Sequence, residues 1–318
     1  MKVYHFADHG RGAHGITQGL IGLGFKVYVN HQHVSLGKVV LNGTPAHVAS
    51  GCDLVFAGTS SYRSVVNSLG VLNKTIFYEF RDKTVADPAM MGGLAYFKRS
   101  VSLGESRVPI IADVIPINYA ALDEYYEGEG QERVYDIGCF FDPSNPKLGY
   151  RRSAILKALQ TRNPPNSLVG HSTAHSMPAR LAVTNPPHDN PFLDFIKLQH
   201  RTKIIFTAQP GPVDGDNRTW EALASGALVF MDRCYIPTPD LPEDGVHCCH
   251  YDAADPASVE AAIDRAMYYL AHSEERERIA AAGYEFVKNN HRAVNRVRWM
   301  LDKAGAGKPK SRPVVSFL

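Results

Sequence analysis

The sequence predicts an α/β protein of two facing, Rossmann-like parallel-sheet halves with a helical C-terminus. Three observations carry this. Short apolar runs alternate with amphipathic stretches, a β-α-β rhythm that implies parallel strands covered by helices on both faces. A Tyr-rich, acidic interruption, Asn118 to Arg133, contains EGEGQER and separates one alternating series from a second. From Ala257 to about Lys303 the pattern is almost wholly helical.

In the first series Val3 to Phe6 reads as a strand, followed by a glycine-rich turn and a helix near Thr17 to Leu23. Lys26 to Val29, Asp53 to Ala57, Thr75 to Phe80 and Pro109 to Ile115 read as further strands, with a helix over Val65 to Leu69. The second series runs through a strand at Val134 to Phe141, a helix at Tyr150 to Leu159 and a strand at Ser167 to Val169. A helix at Asn190 to Gln199 and a strand at Thr202 to Thr207 follow, then a helix at Asn217 to Ser225, a strand at Ala227 to Met231 and another at Val246 to Tyr251. The expected domains are 1–120, completed by helices at about 291–305, and 134–290; 306–318 is expected to be a flexible tail.

With 34 Lys+Arg against 32 Asp+Glu, a net charge of +2 and 44% hydrophobic residues, the chain is neither disordered nor a strongly basic nucleic-acid scaffold. Cys52, Cys139, Cys234, Cys248 and Cys249 show no C-x-x-C spacing, which points to reduced thiols in a cytoplasmic protein. The N-terminus MKVYHFADHGRG does not read as a signal peptide, and no apolar run approaches the ~20 residues of a membrane span.

Gly10-Arg11-Gly12-Ala13-His14-Gly15 fits G-x-G-x-x-G after a strand. Such glycines let backbone N–H groups approach an anion at a helix N-terminus. A dinucleotide site also needs an acidic residue about 20 positions on, and no Asp or Glu occurs from His9 through Cys52. The loop therefore reads either as a tight structural turn or as an acceptor-side loop, with Arg11, Gly12 and Gly15 approaching substrate. The acid-free window also holds Lys26, Lys38, His31, His33 and His47, a bias that suits an anionic ligand as well as an ordinary surface. His14 and His9 are candidate general bases, or plain structural histidines. Glu79, in the Phe77–Asp82 cluster at a strand end, is a third candidate base, or one half of a local ion pair. Tyr96-Phe97-Lys98-Arg99-Ser100 sets aromatics beside cations, a combination that stacks on ringed anions.

The strongest local signal is DNRTWEALASGALV, Asp216 to Val229. Asp216 or Asn217 can cap a helix whose free N–H groups and macrodipole favour an anion. Arg218 can add a charge-assisted bond to phosphate, Glu221 can accept from ribose hydroxyls, and Gly226 ends the helix. The bland alternative is an amphipathic helix with surface charges.

The run NRTWEALASGALVF resembles the donor-site helix of GT-B glycosyltransferases, in the glycosyl transferases group 1 branch that includes spore-maturation-type enzymes. VYDIGCFFDPSNPKLGYRRSAILKAL is similar to the opening strand, loop and helix of that donor domain, and the resemblance extends from about Val134 to His291. It implies GT-B architecture, with a nucleotide-sugar donor on the second half and the acceptor on the first. By the same resemblance Glu221 would hold the ribose, and Arg218 with the amides of the Asn217–Thr219 turn would face the diphosphate. Arg151 or Arg152, and more weakly Lys147, would add positive charge, and the Pro210–Val213 stretch with Gly211 would line the donor pocket. Many retaining relatives carry a second Glu where this chain has Val213, which leaves the stereochemical outcome open.

No metal is expected. Asp214-Gly215-Asp216 matches a D-x-D but reads as turn chemistry ahead of the helix. His171, His175 and His188 lie in loop-like sequence, unsuited to a zinc site. Neither a P-loop nor a G-x-S-x-G elbow occurs. The resulting expectation is a cytoplasmic, metal-independent hexosyltransferase using a nucleotide sugar, foremost a UDP-sugar, with no further cofactor. Its acceptor would be a surface glycan, a glycolipid or a polyanion such as hydroxymethylated DNA. The alternatives are a non-catalytic nucleotide-sugar-binding protein and an NAD(P)-binding oxidoreductase.

Overall fold

The computed structural model describes residues 1–8, 10–30, 33–35, 39–80, 86–99, 113–128, 130–141, 149–170, 191–210, 216–234 and 240–306. It contains two parallel sheets. The first is built from β1 (Lys2–Phe6), β2 (Lys26–Val29), β5 (Leu54–Ala57), β6 (Thr75–Glu79), β7 (Ala95–Lys98) and β8 (Val114–Pro116), in the order β2-β1-β5-β6-β7-β8. Two short strands, β3 (His33–Ser35) and β4 (Val39–Leu41), form a separate antiparallel pair. The second sheet has the order β10-β9-β11-β12-β13, from β9 (Tyr135–Cys139), β10 (Leu168–Val169), β11 (Thr202–Thr207), β12 (Leu228–Asp232) and β13 (Cys249–Tyr251). Strands covered on both faces read as unbroken apolar runs rather than alternating ones. Leu54–Ala57 and Leu228–Asp232 are of this kind, buried at every position.

Eight helices lie among the described residues: α1 (Arg11–Gly22), α2 (Arg63–Ser68), α3 (Tyr150–Arg162), α4 (Pro191–His200), α5 (Asn217–Ala224), α6 (Pro256–Ala271), α7 (Ser273–Asn290) and α8 (Ala293–Lys303). Each sheet has a core on both faces. α8, late in the chain, packs on the first sheet: Val297, Met300 and Leu301 join Ile16, Leu20 and Phe56 in one cluster. Gly19 of α1 permits this approach, because a Cβ there would collide with the Ala293 carbonyl and with Val297. The two crossings between the sheets run side by side. The Ala121 amide donates to the His291 carbonyl at 2.9 Å, and Ala121 bridges Arg292.

Several elements differ from expectation. The G-x-G-x-x-G stretch is not a loop: Gly10 is the N-cap position and Gly12 and Gly15 lie inside α1. Gly12 is there for packing, since a Cβ would enter the Phe80 ring. β7 was not expected, because Lys98 interrupts its apolar run; the ammonium is instead fully buried 3.2 Å from Glu79. The expected strand from Val246 shortens to Cys249–Tyr251, and the long C-terminal helix divides at His272 and again at His291 and Arg292. Of the expected strand at Pro109 to Ile115, residues 109–112 lie outside the described residues, as does the tail beyond Ala306. None of the five cysteines is in a disulfide, and four of them are buried. Among the described residues no helix is long and apolar enough to cross a membrane.

Candidate active site between the two sheets

In open parallel sheets ligands bind beyond the carboxyl ends of the strands. Here those ends bring charges together from both halves. Arg11 opens α1 beyond β1, Arg99 follows β7, and Arg152 sits on the first turns of α3 beyond β9. Asp216, Arg218 and Glu221 come from the N-terminal end of α5, beyond β11. Tyr119 follows β8 and feels the charges of Arg99, Asp216, Arg11 and Asp8 together. Four guanidinium groups thus surround two carboxylates.

Arg11 Nη1 lies 2.5 Å from Glu221 Oε1. The same oxygen accepts from Asn217 Nδ2 at 2.7 Å, and the buried Tyr125 hydroxyl interacts with the same carboxylate. Glu221's charge holds the Arg11 guanidinium more firmly protonated than usual, outweighing its desolvation. Arg152 Nη2 donates to Asp216 Oδ1 at 2.6 Å and its Nε to the Ala208 carbonyl at 3.0 Å. Asp216 occupies the N-cap position of α5 but does not cap with its side chain; the arginine has taken the carboxylate, and Oδ2 is buried without a hydrogen bond. Both Arg152 and Arg218 lie over the Phe141 ring, at 5.1 and 5.5 Å. Arg218 Nε is buried and makes no hydrogen bond. Burial lowers the pKa of Arg218, Arg152 and Arg11 lower it further, and Asp216 and Glu221 oppose them. Arg99, 2% exposed, lies over the Tyr119 ring at 5.1 Å and donates from Nε to the Phe80 carbonyl at 3.0 Å. Its pKa too is lowered chiefly by burial, with Asp216 opposing and Arg152 reinforcing.

Crowded, desolvated guanidiniums at a helix N-terminus form an anion-binding arrangement: each gains from a bound phosphate what it has lost in water. Among the described residues no group of three or more His, Cys, Asp or Glu stands together as metal ligands do.

The other expected residues are distributed as follows. Arg151 points away from Arg152 into a buried bridge, with Nη1 2.8 Å from Asp232 and 3.2 Å from Asp252. Thr219 faces the sheet, its hydroxyl 2.9 Å from that of Thr207. Glu79 is buried against Lys98 and accepts from the Tyr96 hydroxyl at 2.8 Å, so its carboxylate is taken, while its backbone carbonyl accepts from the Arg99 amide at 2.9 Å. His14 is half-buried on α1, three residues from Arg11 and so on the same side of the helix. Gly12 and Gly15 are buried in α1. His9, Lys147 and Gly211 lie outside the described residues, as do Asp82, Val213, Asp214, His171, His175 and His188.

Sequence reasoning missed Arg99 as a member of the cluster, and it missed Tyr119 and Asp8. Asp8 lies at the carboxyl end of β1, where its Oδ1 accepts from the Gly10 amide at 3.1 Å. The available signal was positional: all three follow strands of the first sheet, whose carboxyl ends face the same way.

Residues 151–302 match the glycosyl transferase-like family. Solved structures share the fold over both halves. A glycosyltransferase from Rickettsia africae is 12% identical over 95% of this chain and 97% of its own, with a TM-score of 0.63. HepE from Anabaena, in complex with UDP-glucose, is 13% identical over 96% and 99%, with a TM-score of 0.55. An alpha-glucosyltransferase in complex with UDP-glucose and DNA containing an abasic site is 11% identical over 96% and 99%, with a TM-score of 0.58. No curated protein sequence matches the chain. The architecture is that of GT-B glycosyltransferases: two parallel-sheet α/β halves with a helical C-terminus.

Proposed function

We propose that the protein is a glycosyltransferase moving a hexose from a nucleotide-sugar donor, foremost a UDP-sugar, to an acceptor hydroxyl. The observation that carries this reading is the convergence of Arg11, Arg99, Arg152 and Arg218 around Asp216 and Glu221 at facing strand ends. Structures of the same fold with UDP-glucose bound support it, as does the family match over 151–302.

In the transfer the bond from the sugar's anomeric carbon to the diphosphate breaks and a bond from that carbon to the acceptor oxygen forms. The diphosphate departs with the electron pair, and the acceptor proton passes to a base. Arg218, Arg152 and Arg99, with the N-terminus of α5, neutralise the leaving group. That fixed charge is the basis for reading the reaction as metal-independent. Glu221 takes the ribose hydroxyls, with Asn217 bracing its carboxylate. Arg11, now on Glu221, is within reach of the diphosphate once the ribose has taken that oxygen. The base is drawn from His14 and His9, with Asp8 added by its position beyond β1; Glu79 is the weakest, being committed to Lys98 and Tyr96. The acceptor is a surface glycan or a glycolipid. The fold shared with an alpha-glucosyltransferase bound to DNA favours a polyanion as the second reading. In that case affinity falls steeply with salt as counterions are released, and a flat salt response removes it.

The experiment is a thermal-shift panel of UDP-, GDP-, ADP- and dTDP-sugars, with and without Mg²⁺ or Mn²⁺, beside NAD(P), followed by a donor-hydrolysis assay. Stabilisation is about 2.7 kcal/mol at one hundred times the dissociation constant. A shift with one nucleotide sugar in the absence of metal, and donor turnover, support the proposal. Binding without turnover makes the protein a silent binder, and a shift with NAD(P) alone overturns the reading.

A further inference from the structure

A second cavity lies at the other end of the second sheet. It has a volume of about 330 Å³ and opens among Gly128, Gly130, Gln131 and Arg133, the C-terminal end of α5 and one face of α7. That is the lower end of the ~300–1,000 Å³ usual for small-molecule sites. Lys203 stands at the start of β11 and Ser225 at the end of α5, so this cavity is on the opposite edge of the sheet from Arg152 and Arg218.

Its wall carries three cations, Arg133, Arg276 and Lys203, with Glu277 and Glu285 also on the lining. Arg133 donates to two backbone carbonyls, those of Thr202 and Ser225, at 2.5 and 2.7 Å. Burial, reinforced by Arg276, pushes its pKa down to about 10, which leaves it charged at neutral pH. Arg276 is buried and donates to the Tyr269 carbonyl and to the exposed Glu277. Lys203 completes the group from the rim, 2.6 Å from Asp136. Of the two acids on the lining, Glu277 is held by Arg276 and Glu285 lies 3.6 Å from Lys288. Ala280, Ala281 and the Tyr284 ring form the apolar part of the wall, and Gln131, His200 and Ser225 add neutral polar groups. Arg133 is bonded only to carbonyls, while Arg276 and Lys203 each share their charge with one acid, Glu277 and Asp136. A phosphate dianion bonded to Arg133 is matched by these two cations in competition with those carboxylates. An aromatic ring beside it suits the apolar face of a small sugar ring.

We infer that this cavity is a second ligand site, separate from the cleft, for a phosphomonoester of monosaccharide size. Its phosphoryl group lies among Arg133, Lys203 and Arg276, and its ring lies against Tyr284.

Isothermal titration calorimetry of the full chain at low ionic strength tests this, with glucose 6-phosphate and inorganic phosphate as probes. Glucose 6-phosphate is expected to bind one saturable site about tenfold or more tighter than inorganic phosphate, and to bind equally in excess UDP. Lys203→Gln is expected to weaken binding about tenfold, the loss of one charge-assisted bond. Ala281→Trp, on an exposed helix position, is expected to abolish binding by filling the cavity. Ala281→Trp should melt as the parent does, and Lys203→Gln, which gives up the pair with Asp136, should melt somewhat lower but in one cooperative transition, which separates lost binding from lost folding. The inference is overturned if glucose 6-phosphate gives no saturable binding, binds no tighter than inorganic phosphate, is displaced by UDP, or binds both folded variants as it binds the parent. None of these readouts depends on sugar transfer.

Discussion

Arg11 and Glu221 stand 210 positions apart in the chain, and their ion pair of 2.5 Å ties the opening helix of the first half to the donor-side helix of the second. The arginine is 43% exposed and the glutamate 3%, so the carboxylate is the desolvated partner. Any ligand hydroxyl that takes Glu221 competes with Arg11 for it.

Glu221→Ala removes the acceptor assigned to the ribose. Affinity for UDP is expected to fall by roughly 1.5–3 kcal/mol, the range for hydrogen bonds to a charged group. Calorimetric titration of UDP checks it, and unchanged affinity in a folded variant refutes the role.

Arg218→Ala acts on the leaving group. Removing one preorganised donor of this kind costs about 10²–10³ in kcat. Donor affinity is expected to fall far less than turnover. A loss of donor affinity with kcat unchanged would show that Arg218 binds the donor but does not stabilise the leaving group.

Glu79→Leu deprives the fully buried Lys98 of its carboxylate. Breaking a buried pair from one side costs about 3–5 kcal/mol. Urea denaturation should show that loss. A variant of parental stability with no turnover would instead return Glu79 to the role of base.

His291 stacks on Trp220 at 4.1 Å, and Arg296 donates to its Nδ1 at 2.8 Å. Burial first, and Arg296 second, depress its pKa well below the usual value. The folded state therefore resists a proton that the unfolded chain accepts near pH 6.5. Stability is full above that pH and falls as pH drops below it, by up to about 1.4 kcal/mol per unit. His250, whose pKa burial also lowers, acts with the same sign. His291→Phe should flatten the low-pH limb in denaturation curves measured from pH 7 to 5; an unchanged limb refutes the assignment.

Gly19→Ala puts a methyl group against the Ala293 carbonyl and Val297. Overpacking of this kind costs about 1–3 kcal/mol. The melting temperature should drop, with the donor-side helix α5 untouched.

Much of the fold was legible because parallel strands are apolar throughout. Thr202–Thr207 was bounded as it stands, and Lys26–Val29 likewise. β7 escaped because Lys98 and Arg99 read as cations beside aromatics, suited to a ringed anion; only the partner strand reveals that Glu79 lies beside Lys98 in register. The glycines ahead of His14 looked like a ligand loop, whereas Gly12 answers to Phe80, far off in sequence. At the site, Arg218 and Glu221 were legible because one helix carries both. Arg151 and Arg152 could not be told apart in sequence, yet neighbours on a helix point about 100° apart, and only Arg152 reaches Asp216. Arg99 and Tyr119 are brought to Asp216 by the packing of one half against the other, which no local pattern records.

The docking of α8 on α1 also governs the order in which the molecule can be made. Synthesis delivers the first sheet early, but Ile16 and Leu20 wait for Val297, Met300 and Leu301 before their cluster is covered. The second sheet has no such delay, since its strands and the helices flanking them emerge in one continuous stretch. Large chains fold by units during synthesis. On the ribosome this one should therefore finish its later-born sheet first, leaving the earlier one open until the last helix is released.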